Sequence, residues 1–295
     1  MSDSPGLRFR WALENPPLPI VGVFNALTAR MAKAAGFRAV YQSGAALSAG
    51  LAAVPDIGLV TQTEFVQQGE YLARAVDVPV ISDADTGFGD VSSVERTVVL
   101  YEAAGLAGLH LEDQQLPKRC GHLSGKTLVE TSEMVAKIKA AVSARRDSDF
   151  VIIARTDARG VVGIEDALER AKAYVDAGAD MVFPEALQSP DEFERFAQEI
   201  SVPLMANMTE FGKSPLMSVR ELGEMGFAAV LFPVTIFRVA MKAVETALAK
   251  LADTGTQQSL LDDMQTRAEL YELLDYQGFE ERDREYFGTP GEQGV

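Results

Sequence analysis

The segment "AAGLAGLHL" (103–111) recurs in related form at three other places in the chain, and this repeat decides the fold. In each copy a glycine stands just ahead of an apolar run. Glycine at this position suits the left-handed end of a helix, and the apolar run suits a β-strand. The other copies are "AAGFRAVY" (34–41), "DAGADMVF" (176–183) and "EMGFAAVLF" (224–232), and the four glycines are Gly36, Gly105, Gly178 and Gly226.

Eight short apolar runs lie along the chain, with helical patterns between them. The runs show no strict alternation, as in parallel strands covered on both faces, and the intervening segments are long enough for crossover helices. Eight units favour an α/β fold of the (β/α)8 TIM-barrel type over a doubly wound sheet, which more often has five or six strands. The runs are 19–24, 38–42, 79–83, 107–111, 150–154, 179–183, 202–206 and 228–232.

The length of 295 residues and the 47% hydrophobic content suit one large domain, 1–295, because no low-complexity linker divides the chain. Beyond the last predicted strand, residues 238–255 and 259–276 have the amphipathic patterns of two further helices, followed by a charged tail. We expect a C-terminal helical extension over about 238–280 that covers a barrel end or packs on another subunit.

The composition argues against several classes of partner and site. A formal net charge of −16 disfavours nucleic acid and anionic membranes. The first residues lack the apolar core of a signal peptide, and no apolar run is long enough to span a bilayer, so a cytoplasmic location is expected. One cysteine excludes an internal disulfide, and with only two histidines it cannot form an ordinary structural zinc site.

Polar residues follow the predicted strands, at the end of the barrel where active sites lie. Asp83 and Asp85 are two residues apart, so in extended backbone both side chains point to one side and suggest a bound cation. Glu112 could add a third carboxylate and Asp56 a fourth. Such oxygen ligands favour Mg²⁺ or Mn²⁺. The alternative is that Asp85, Thr86 and Asp90 only cap the next helix.

The stretch "HLEDQQLPKRCGHLSGK" (110–126) holds both histidines and the only cysteine. A lone cysteine is most often a small buried apolar residue. Cys120, however, lies among cations and glycines, a setting that would perturb its pKa. To act as a general acid the thiol must keep its proton, so Glu185 or another carboxylate would have to offset the cations. For His110 a core position, and for His122 a loop hydrogen bond, are the simpler interpretations.

Three arginines are candidates for binding carboxylate groups, since a guanidinium offers two parallel donors to an anionic oxygen pair. They are Arg155, Arg238 and Arg267. Surface salt bridges are the alternative for each. Arg155 is the strongest candidate, because it directly follows an apolar run and should point into the barrel mouth.

Together, "DADTGFG" (83–89), "HLEDQ" (110–114) and "KRCGH" (118–122) resemble the isocitrate lyase and phosphoenolpyruvate mutase superfamily. The likeness extends nearly end to end. Within the superfamily the chain is most similar to the enzymes that cleave 2-methylisocitrate. The resemblance implies a Mg²⁺-dependent carbon–carbon lyase of propionate catabolism (the methylcitrate cycle), and a homotetramer that exchanges C-terminal helices between subunits.

Other branches of the superfamily differ from this chain in features that the sequence reveals. Isocitrate lyases carry long insertions, and phosphoenolpyruvate mutases lack the cysteine. Lyases of 2,3-dimethylmalate and hydrolases of oxaloacetate keep the cysteine loop and remain alternatives. The family's Ser-Gly-Gly substrate loop is Ser43-Gly44-Ala45 here, where Ala45 adds a methyl group and restricts the backbone. A non-catalytic barrel that binds dicarboxylates is a further alternative, against which the carboxylate, cysteine and arginine set argues.

The resemblance also implies roles for individual residues. The tricarboxylate (2S,3R)-2-methylisocitrate would be split into pyruvate and succinate. Asp83 and Asp85 would hold Mg²⁺, Cys120 would protonate the succinate carbanion, and Tyr41 is the candidate to accept the first proton. Substrate contacts are expected from Ser43, Gly44, Ala45, Gly121, His122, Arg155, Glu185, Asn207, Met208, Thr209, Arg238 and Arg267.

Overall fold

Eight parallel strands form a single sheet in the computed structural model, which describes residues 3–287. Each strand falls within or next to one of the eight predicted apolar runs. They are β1 Leu18–Val23, β2 Val40–Gln42, β3 Val80–Asp83, β4 Gly108–Glu112, β5 Val151–Thr156, β6 Met181–Pro184, β7 Met205–Asn207 and β8 Ala229–Phe232.

The order of the strands shows that the sheet curves into a barrel. Strands β1 to β6 pair in sequence, β8 pairs with both β1 and β7, and all of these pairs are parallel. A single parallel bridge between Val182 and Leu204 links the two ends of the sheet, β6 and β7. The predicted (β/α)8 TIM barrel is confirmed, with its seam at this bridge.

Helices connect the strands, as the pattern predicted, and one more helix precedes β1. The N-terminal helix α1 was not predicted; Ser4 caps it, and its Phe9 packs into the cluster of residues that fills the barrel interior. The first nine helices are α1 Pro5–Leu13, α2 Ala26–Ala34, α3 Gly44–Ala52, α4 Gln62–Ala75, α5 Val91–Ala103, α6 Thr131–Ala144, α7 Ile164–Asp176, α8 Pro190–Glu199 and α9 Val219–Glu224.

The four repeated glycines end helices as predicted. Gly36, Gly105, Gly178 and Gly226 have φ angles of 91°, 85°, 104° and 104°, in the left-handed region. Each lies two residues beyond the last residue of a helix and turns the chain towards the next strand. Other residues pay roughly 1–2 kcal/mol for left-handed backbone, so the repeat has a direct conformational cause.

Alternation along each strand decides which side chains reach the barrel interior. In β5, Val151 and Ile153 belong to the interior cluster, while Ile152 and Ala154 pack in the layer beneath the helices. Because side chains of a strand alternate between its two faces, the next interior position is Arg155. The same register places the last residues of neighbouring strands at the mouth.

The chain divides at Arg238 into two compact units, the barrel and a helical unit that begins at Val239. Helix α10, Thr235–Thr254, agrees with the prediction, but the single helix predicted over 259–276 is wrong. A 3-10 turn, Gln258–Asp263, is followed by α11 Arg267–Leu273, and Thr266 begins α11 with a capping box.

The segment predicted as a charged tail forms α12, Tyr276–Phe287, and the terminal "GTPGEQGV" lies outside the described residues. The assignment of the whole chain to one domain stays a prediction. Among residues 3–287, no helix has both the length and the apolar character needed to cross a membrane.

Candidate active site

The carboxyl ends of the strands gather buried ionisable and polar side chains at one mouth of the barrel. All of them occupy interior positions of the strands or the residue that follows, and each is less than a tenth exposed. They are Tyr41, Asp83, His110, Glu112, Arg155, Glu185 and Asn207.

The turn after β3 brings the two predicted metal carboxylates, Asp83 and Asp85, close together. Asp83 Oδ1 accepts the N–H of Asp85 at 2.9 Å, and Asp85 has a left-handed φ of 47°, a strained state for a residue other than glycine. The cap of α5 is Asp90, which accepts the N–H of Val91 at 2.8 Å. The capping alternative therefore holds for Asp90 and leaves Asp83 and Asp85 free of that role.

The four predicted metal carboxylates do not form one direct ligand shell. Lys118 Nζ contacts Asp56 and lies 2.6 Å from Asp85 Oδ1, and Glu112 Oε2 lies 3.2 Å from a guanidinium nitrogen of Arg155. Over residues 3–287, no three histidine, cysteine or acidic side chains are arranged to hold a metal ion together. Which of Asp83, Asp85, Glu112 and Asp56 would bind a metal ion directly, and which through water, stays a prediction.

The residues present nevertheless fit a magnesium ion. Mg²⁺ is usually held by one or two carboxylates together with water and substrate oxygens. Asp83 and Asp85 are buried and adjacent, and Glu112 Oε1 is a buried oxygen without a hydrogen-bond partner. A buried carboxylate oxygen in that state is costly unless a cation or water reaches it.

Arg155 lies at the centre of the mouth, as predicted, and three carboxylates surround it. Its Nε donates to Asp157 Oδ2 at 3.0 Å and its Nη2 to Asp157 Oδ1 at 3.3 Å. One guanidinium nitrogen lies 3.2 Å from Glu112, and Nε lies 4.0 Å from Glu185. The ring of Phe183 lies beneath the guanidinium, 5.3 Å from its carbon. Arg155 is thereby fixed in orientation.

Cys120 lies half-buried in the loop after β4 and holds its proton. Burial raises the pKa of the Cys120 thiol; an N–H from His122 lowers it, and the Glu185 carboxylate raises it further. Burial alone would also raise the pKa of Glu185, but Arg155 and His122 lower it well below its usual range, so Glu185 stays charged. Glu185 supplies the offset to the loop cations that a general acid at Cys120 requires.

The loop that carries Cys120 packs tightly against Glu185. A Cβ on Gly121 would lie 2.4 Å from Glu185 Cγ, so only glycine fits there. His122 Nδ1 accepts the N–H of Lys213 at 2.9 Å, and its Nε2 lies 2.8 Å from Glu185 Oε1. Because Nδ1 accepts, the hydrogen of a neutral His122 is on Nε2, the nitrogen that lies near Glu185. The predicted loop hydrogen bond is present and extends into the site.

Tyr41 and His110 form a hydrogen-bonded pair inside the barrel. The Tyr41 hydroxyl lies 2.7 Å from His110 Nε2, which is 3.6 Å from Asp83 Oδ1. Burial and then Asp83 raise the pKa of Tyr41 well above its ordinary value, and burial lowers the pKa of His110 to about 4. His110 is the core residue that was expected, yet it faces the site and contacts a predicted catalytic side chain.

The turn from β2 into α3 accommodates the departure from Ser-Gly-Gly. Ser43 caps α3 by accepting the N–H of Ala46 at 3.3 Å. Gly44 packs against Asp83, since a Cβ there would lie 2.5 Å from Asp83 Oδ2. Ala45 lies in the first turn of α3, outside the left-handed region, so its methyl group imposes no backbone strain.

Three of the remaining predicted residues, Asn207, Met208 and Thr209, follow one another at the end of β7. Asn207 donates to both oxygens of Glu185, at 3.3 and 3.1 Å. Thr209, two residues further along the chain, is also buried. Met208 points the other way, into the layer beneath the helices, where its sulfur accepts an N–H, so the structure does not bring its side chain into the mouth.

Of the two other arginines, Arg238 is half-exposed and lies 3.6 Å from Glu210 in the segment after β7. Arg267 begins α11 in the second unit, and its role stays a prediction.

Two buried lysines of the same loop were missed from the sequence. Lys118 contacts Asp56 and Asp85, and Lys126 contacts Asp157. Both lie in the stretch 110–126 that the histidines and the cysteine had already singled out. Each pair joins residues 31 or more positions apart, and no periodicity or motif relates residues at that separation.

A family model described as phosphoenolpyruvate phosphomutase matches residues 9–252. The chain is 51% identical over 284 residues to a 2-methylisocitrate lyase of Aeropyrum pernix, across 96% of this chain and 91% of that protein. It is 54% identical over 281 residues to a probable 2-methylisocitrate lyase of Corynebacterium glutamicum, across 95% of this chain and 92% of that protein.

Solved structures of related enzymes have the same fold. A 2,3-dimethylmalate lyase aligns with a TM-score of 0.92 at 37% identity, over 100% of this chain and 99% of that one. An oxaloacetate acetylhydrolase with a bound inhibitor aligns with a TM-score of 0.92 at 36% identity, over 97% and 98%. A phosphonopyruvate hydrolase in complex with oxalate and Mg²⁺ aligns with a TM-score of 0.87 at 30% identity, over 96% and 99%.

Proposed function

This chain belongs to the phosphoenolpyruvate phosphomutase family, and on that premise we propose that it is a carbon–carbon lyase that splits (2S,3R)-2-methylisocitrate into pyruvate and succinate. The relatives named above support the substrate, since those of about half identical sequence are 2-methylisocitrate lyases or probable ones. The observation that carries the proposal is the Cys120 loop packed through Gly121 against Glu185 at the barrel mouth, where burial raises the pKa of the thiol.

We propose Mg²⁺ as the cofactor, with Mn²⁺ as a possible substitute. Asp83 and Asp85 would hold the ion, and Glu112 and Asp56 would contribute through water, in line with the few direct ligands that Mg²⁺ takes from proteins. The phosphonopyruvate hydrolase complex with oxalate and Mg²⁺ supports this choice. When bound, the ion would supply positive charge that stabilises the negative charge developing on the C2 hydroxyl oxygen.

The hydroxyl proton has a route through the pair inside the barrel. Tyr41 is neutral, so it can accept that proton only while it passes its own to His110 Nε2, 2.7 Å away. Asp83, 3.6 Å from the same nitrogen, would stabilise the imidazolium that results, against the burial that lowers the pKa of His110 to about 4. We therefore assign the first transfer to Tyr41 and His110 acting together.

Bond cleavage and the second proton transfer then follow. The C2–C3 bond breaks as the C2–O bond becomes the carbonyl of pyruvate, and the electron pair stays on C3 of the succinate fragment. The S–H bond of Cys120 then breaks, and its proton bonds to that carbon. The loop 118–126 would close over the bound substrate and keep out water that would compete as a proton donor.

The substrate carboxylates would bind to fixed donors around this centre. Arg155 is held in orientation by Asp157, and the free N–H groups at the start of α3 are suited to an anion. The full set comprises Ser43, Gly44, Ala45, Gly121, His122, Arg155, Glu185, Asn207, Thr209 and Arg238, with the backbone of Met208.

A substrate panel tests the proposal directly. Purified protein is incubated with 2-methylisocitrate, isocitrate, 2,3-dimethylmalate and oxaloacetate, each with and without Mg²⁺, and products are followed by proton NMR. We expect pyruvate and succinate from 2-methylisocitrate, at the highest kcat/KM and only with Mg²⁺. Faster turnover of dimethylmalate or oxaloacetate would move the chain to those branches. Binding of 2-methylisocitrate without any product would indicate a non-catalytic barrel.

We further propose that the chain forms a homotetramer with exchanged C-terminal helices. None of the residues of α10 is buried, although the helix is amphipathic, and Val244, Leu248 and Leu251, which share one side of it, are 49%, 61% and 43% exposed. A contiguous apolar face of this kind is suited to another subunit.

A small carboxylic acid is the expected ligand, not nucleic acid or a membrane, and a free thiol suits the reducing cytoplasm.

A further inference from the structure

Lys126 is a buried cation to which the proposed reaction gives no role. Its Nζ donates to Asp157 Oδ1 at 2.7 Å and also contacts the carbonyl oxygen of Gly121. The side chains of Lys126 and Asp157 are 1% and 0% exposed. Removing an ammonium group from water costs several kcal/mol, so the pair exists only because both partners are well placed.

The partners of Lys126 belong to two different parts of the site. Gly121 directly follows Cys120 in the loop after β4. Asp157 follows β5 and also accepts from Arg155 Nε at 3.0 Å. One line of polar contacts therefore runs from the Gly121 carbonyl through Lys126 and Asp157 to Arg155, and it joins the loop that carries the thiol to the arginine assigned to the substrate.

Asp157 is itself held in place by hydrogen bonds to buried residues of the barrel. Its N–H donates to Asp113 Oδ1 at 2.8 Å, and Asp113 accepts from Thr156 and Tyr174 through its other oxygen, both at 2.8 Å. Asp113 is fully buried. Lys126 thus contacts a carboxylate that the barrel holds rigidly, which is what a tether for a surface loop requires.

We propose that Lys126 is a positioning residue that ties the Cys120 loop to the rigid Asp157–Arg155 pair, so that the thiol stays at a fixed place relative to the bound substrate. The proposal rests on the proposed function, because it gives a purpose to the position of Cys120. Lys126 touches no reacting atom. Its effect passes through the Gly121 carbonyl, the atom of the loop that it contacts.

Lys126 differs in this respect from two other side chains of the loop that contact carboxylates. Lys118 pairs with Asp56 and Asp85, and His122 with Glu185, all of which are assigned to the metal or the substrate. Replacing either would remove a site contact as well as a tether. Lys126 can be changed without removing a group assigned to metal or substrate binding.

The test compares Lys126→Met with wild type by two independent readouts, the rate at which iodoacetamide alkylates Cys120 and the kinetics with 2-methylisocitrate. Loss of a buried tether should open the loop, so we expect alkylation to be faster by about tenfold or more. We expect kcat to fall by at least about tenfold, with a smaller change in KM, because the thiol is displaced more than the carboxylate donors. Lys126→Arg, which keeps the charge, should show a smaller rise in the alkylation rate and a smaller fall in kcat than Lys126→Met.

Lys137→Met is the matched control. Lys137 is also buried, and its Nζ donates at 3.3 Å to the carbonyl of Thr86, which is not a residue of the loop 118–126. Its alkylation rate should stay within about twofold of wild type, since loss of this contact does not open the loop. Equal alkylation rates in Lys126→Met and Lys137→Met would overturn the proposal.

Should Lys126→Met fail to fold by circular dichroism, Lys126→Leu, which likewise leaves the Gly121 carbonyl without its donor, provides the same comparison. Because alkylation needs no turnover, an inactive wild type would refute the proposed function while leaving this readout valid.

Discussion

Cys120 keeps its proton although Lys118 and Arg119 precede it, and the reason lies in its immediate contacts. The thiol is half-buried, and Glu185 lies against the adjacent Gly121. Burial and the nearby carboxylate both disfavour a thiolate, and together they outweigh the N–H from His122. A general acid is useful only in the protonated state, so these contacts matter for the chemistry more than the residue type does.

The raised pKa of Cys120 predicts a pH dependence. The protonated thiol is the active form, so turnover should be retained through neutral pH and fall as the pH rises through the raised pKa, above the ordinary value of about 8.5. Alkylation by iodoacetamide requires the thiolate and should increase over the same pH range. The reference is the chain unfolded in urea. An alkylation midpoint in the folded protein at or below that of the unfolded chain would contradict the assignment.

Asp83→Ala tests the metal site. We expect no measurable Mg²⁺ binding by calorimetry and turnover lowered by at least about a hundredfold, because the ion and its charge stabilisation are lost together. Asp90→Ala is the control from the same turn: it removes the cap of α5 and should cost about 1 kcal/mol of stability while Mg²⁺ affinity is kept. Unchanged Mg²⁺ affinity in Asp83→Ala would show that Asp83 is not a ligand.

At the scale of elements, the start of α3 connects backbone shape to the site. Gly44 allows the helix to approach Asp83 so closely that a Cβ would lie 2.5 Å from the carboxylate. Gly36 is required for a different reason: its φ is 91°, and nothing lies within 4 Å of a Cβ built there. Gly44 is needed because no side chain fits beside the Asp83 carboxylate, and Gly36 is needed because the helix end requires left-handed backbone.

These two glycines predict opposite effects of the same change. Gly44→Ala should displace Asp83 and lower turnover by at least about tenfold, since a group placed about 1 Å away from its catalytic position can cost as much as a hundredfold. Gly36→Ala should lower the free energy of unfolding by about 1–2 kcal/mol with little change in turnover. Urea unfolding and steady-state kinetics on both variants separate the cases. Full activity in Gly44→Ala would exclude the contact from the mechanism.

Elements could be predicted from sequence wherever a local pattern determines them. The apolar runs located all eight strands, and the glycine repeat located four helix ends. The helix predicted over 259–276 was wrong, because the amphipathic pattern continues past Thr266, whose capping box with Glu269 begins a new helix.

Features made by tertiary contacts were not predictable. Helix α1 is stabilised by the packing of Phe9 inside the barrel, and the Lys126–Asp157 pair joins two loops; neither leaves a local signal. Residue types at strand ends indicated the site, but which carboxylate pairs with which cation depends on the closed barrel.

At the scale of the whole molecule, charge is distributed unevenly. The chain has a net charge of −16, yet the mouth of the barrel contains Arg155, Lys118 and Lys126 among its carboxylates. An anionic substrate can therefore contact individual cationic groups that the net charge does not reveal. The second unit has a different character: α10 exposes Val239, Val244, Leu248 and Leu251, which are the residues we expect a neighbouring subunit to cover.

The oligomer prediction is tested by size-exclusion chromatography with light scattering. We expect a mass of about four times the 31.8 kDa of one chain. Leu248→Glu should lower that mass, because a charge cannot be buried unpaired at an apolar interface. Glu245→Lys, a change at another exposed position of α10, is the control and should leave the mass unchanged. A monomeric wild type at micromolar concentration would contradict the proposal.

The central claim is that the Cys120 thiol supplies the proton that completes succinate, and the most direct test is the turnover of 2-methylisocitrate by Cys120→Ser. With the fold checked by circular dichroism and Mg²⁺ binding by calorimetry, both are expected to match wild type. Release of pyruvate and succinate is expected to fall by at least about a hundredfold, the contribution of a general acid. Near-normal release by a correctly folded, Mg²⁺-binding Cys120→Ser protein would contradict the account.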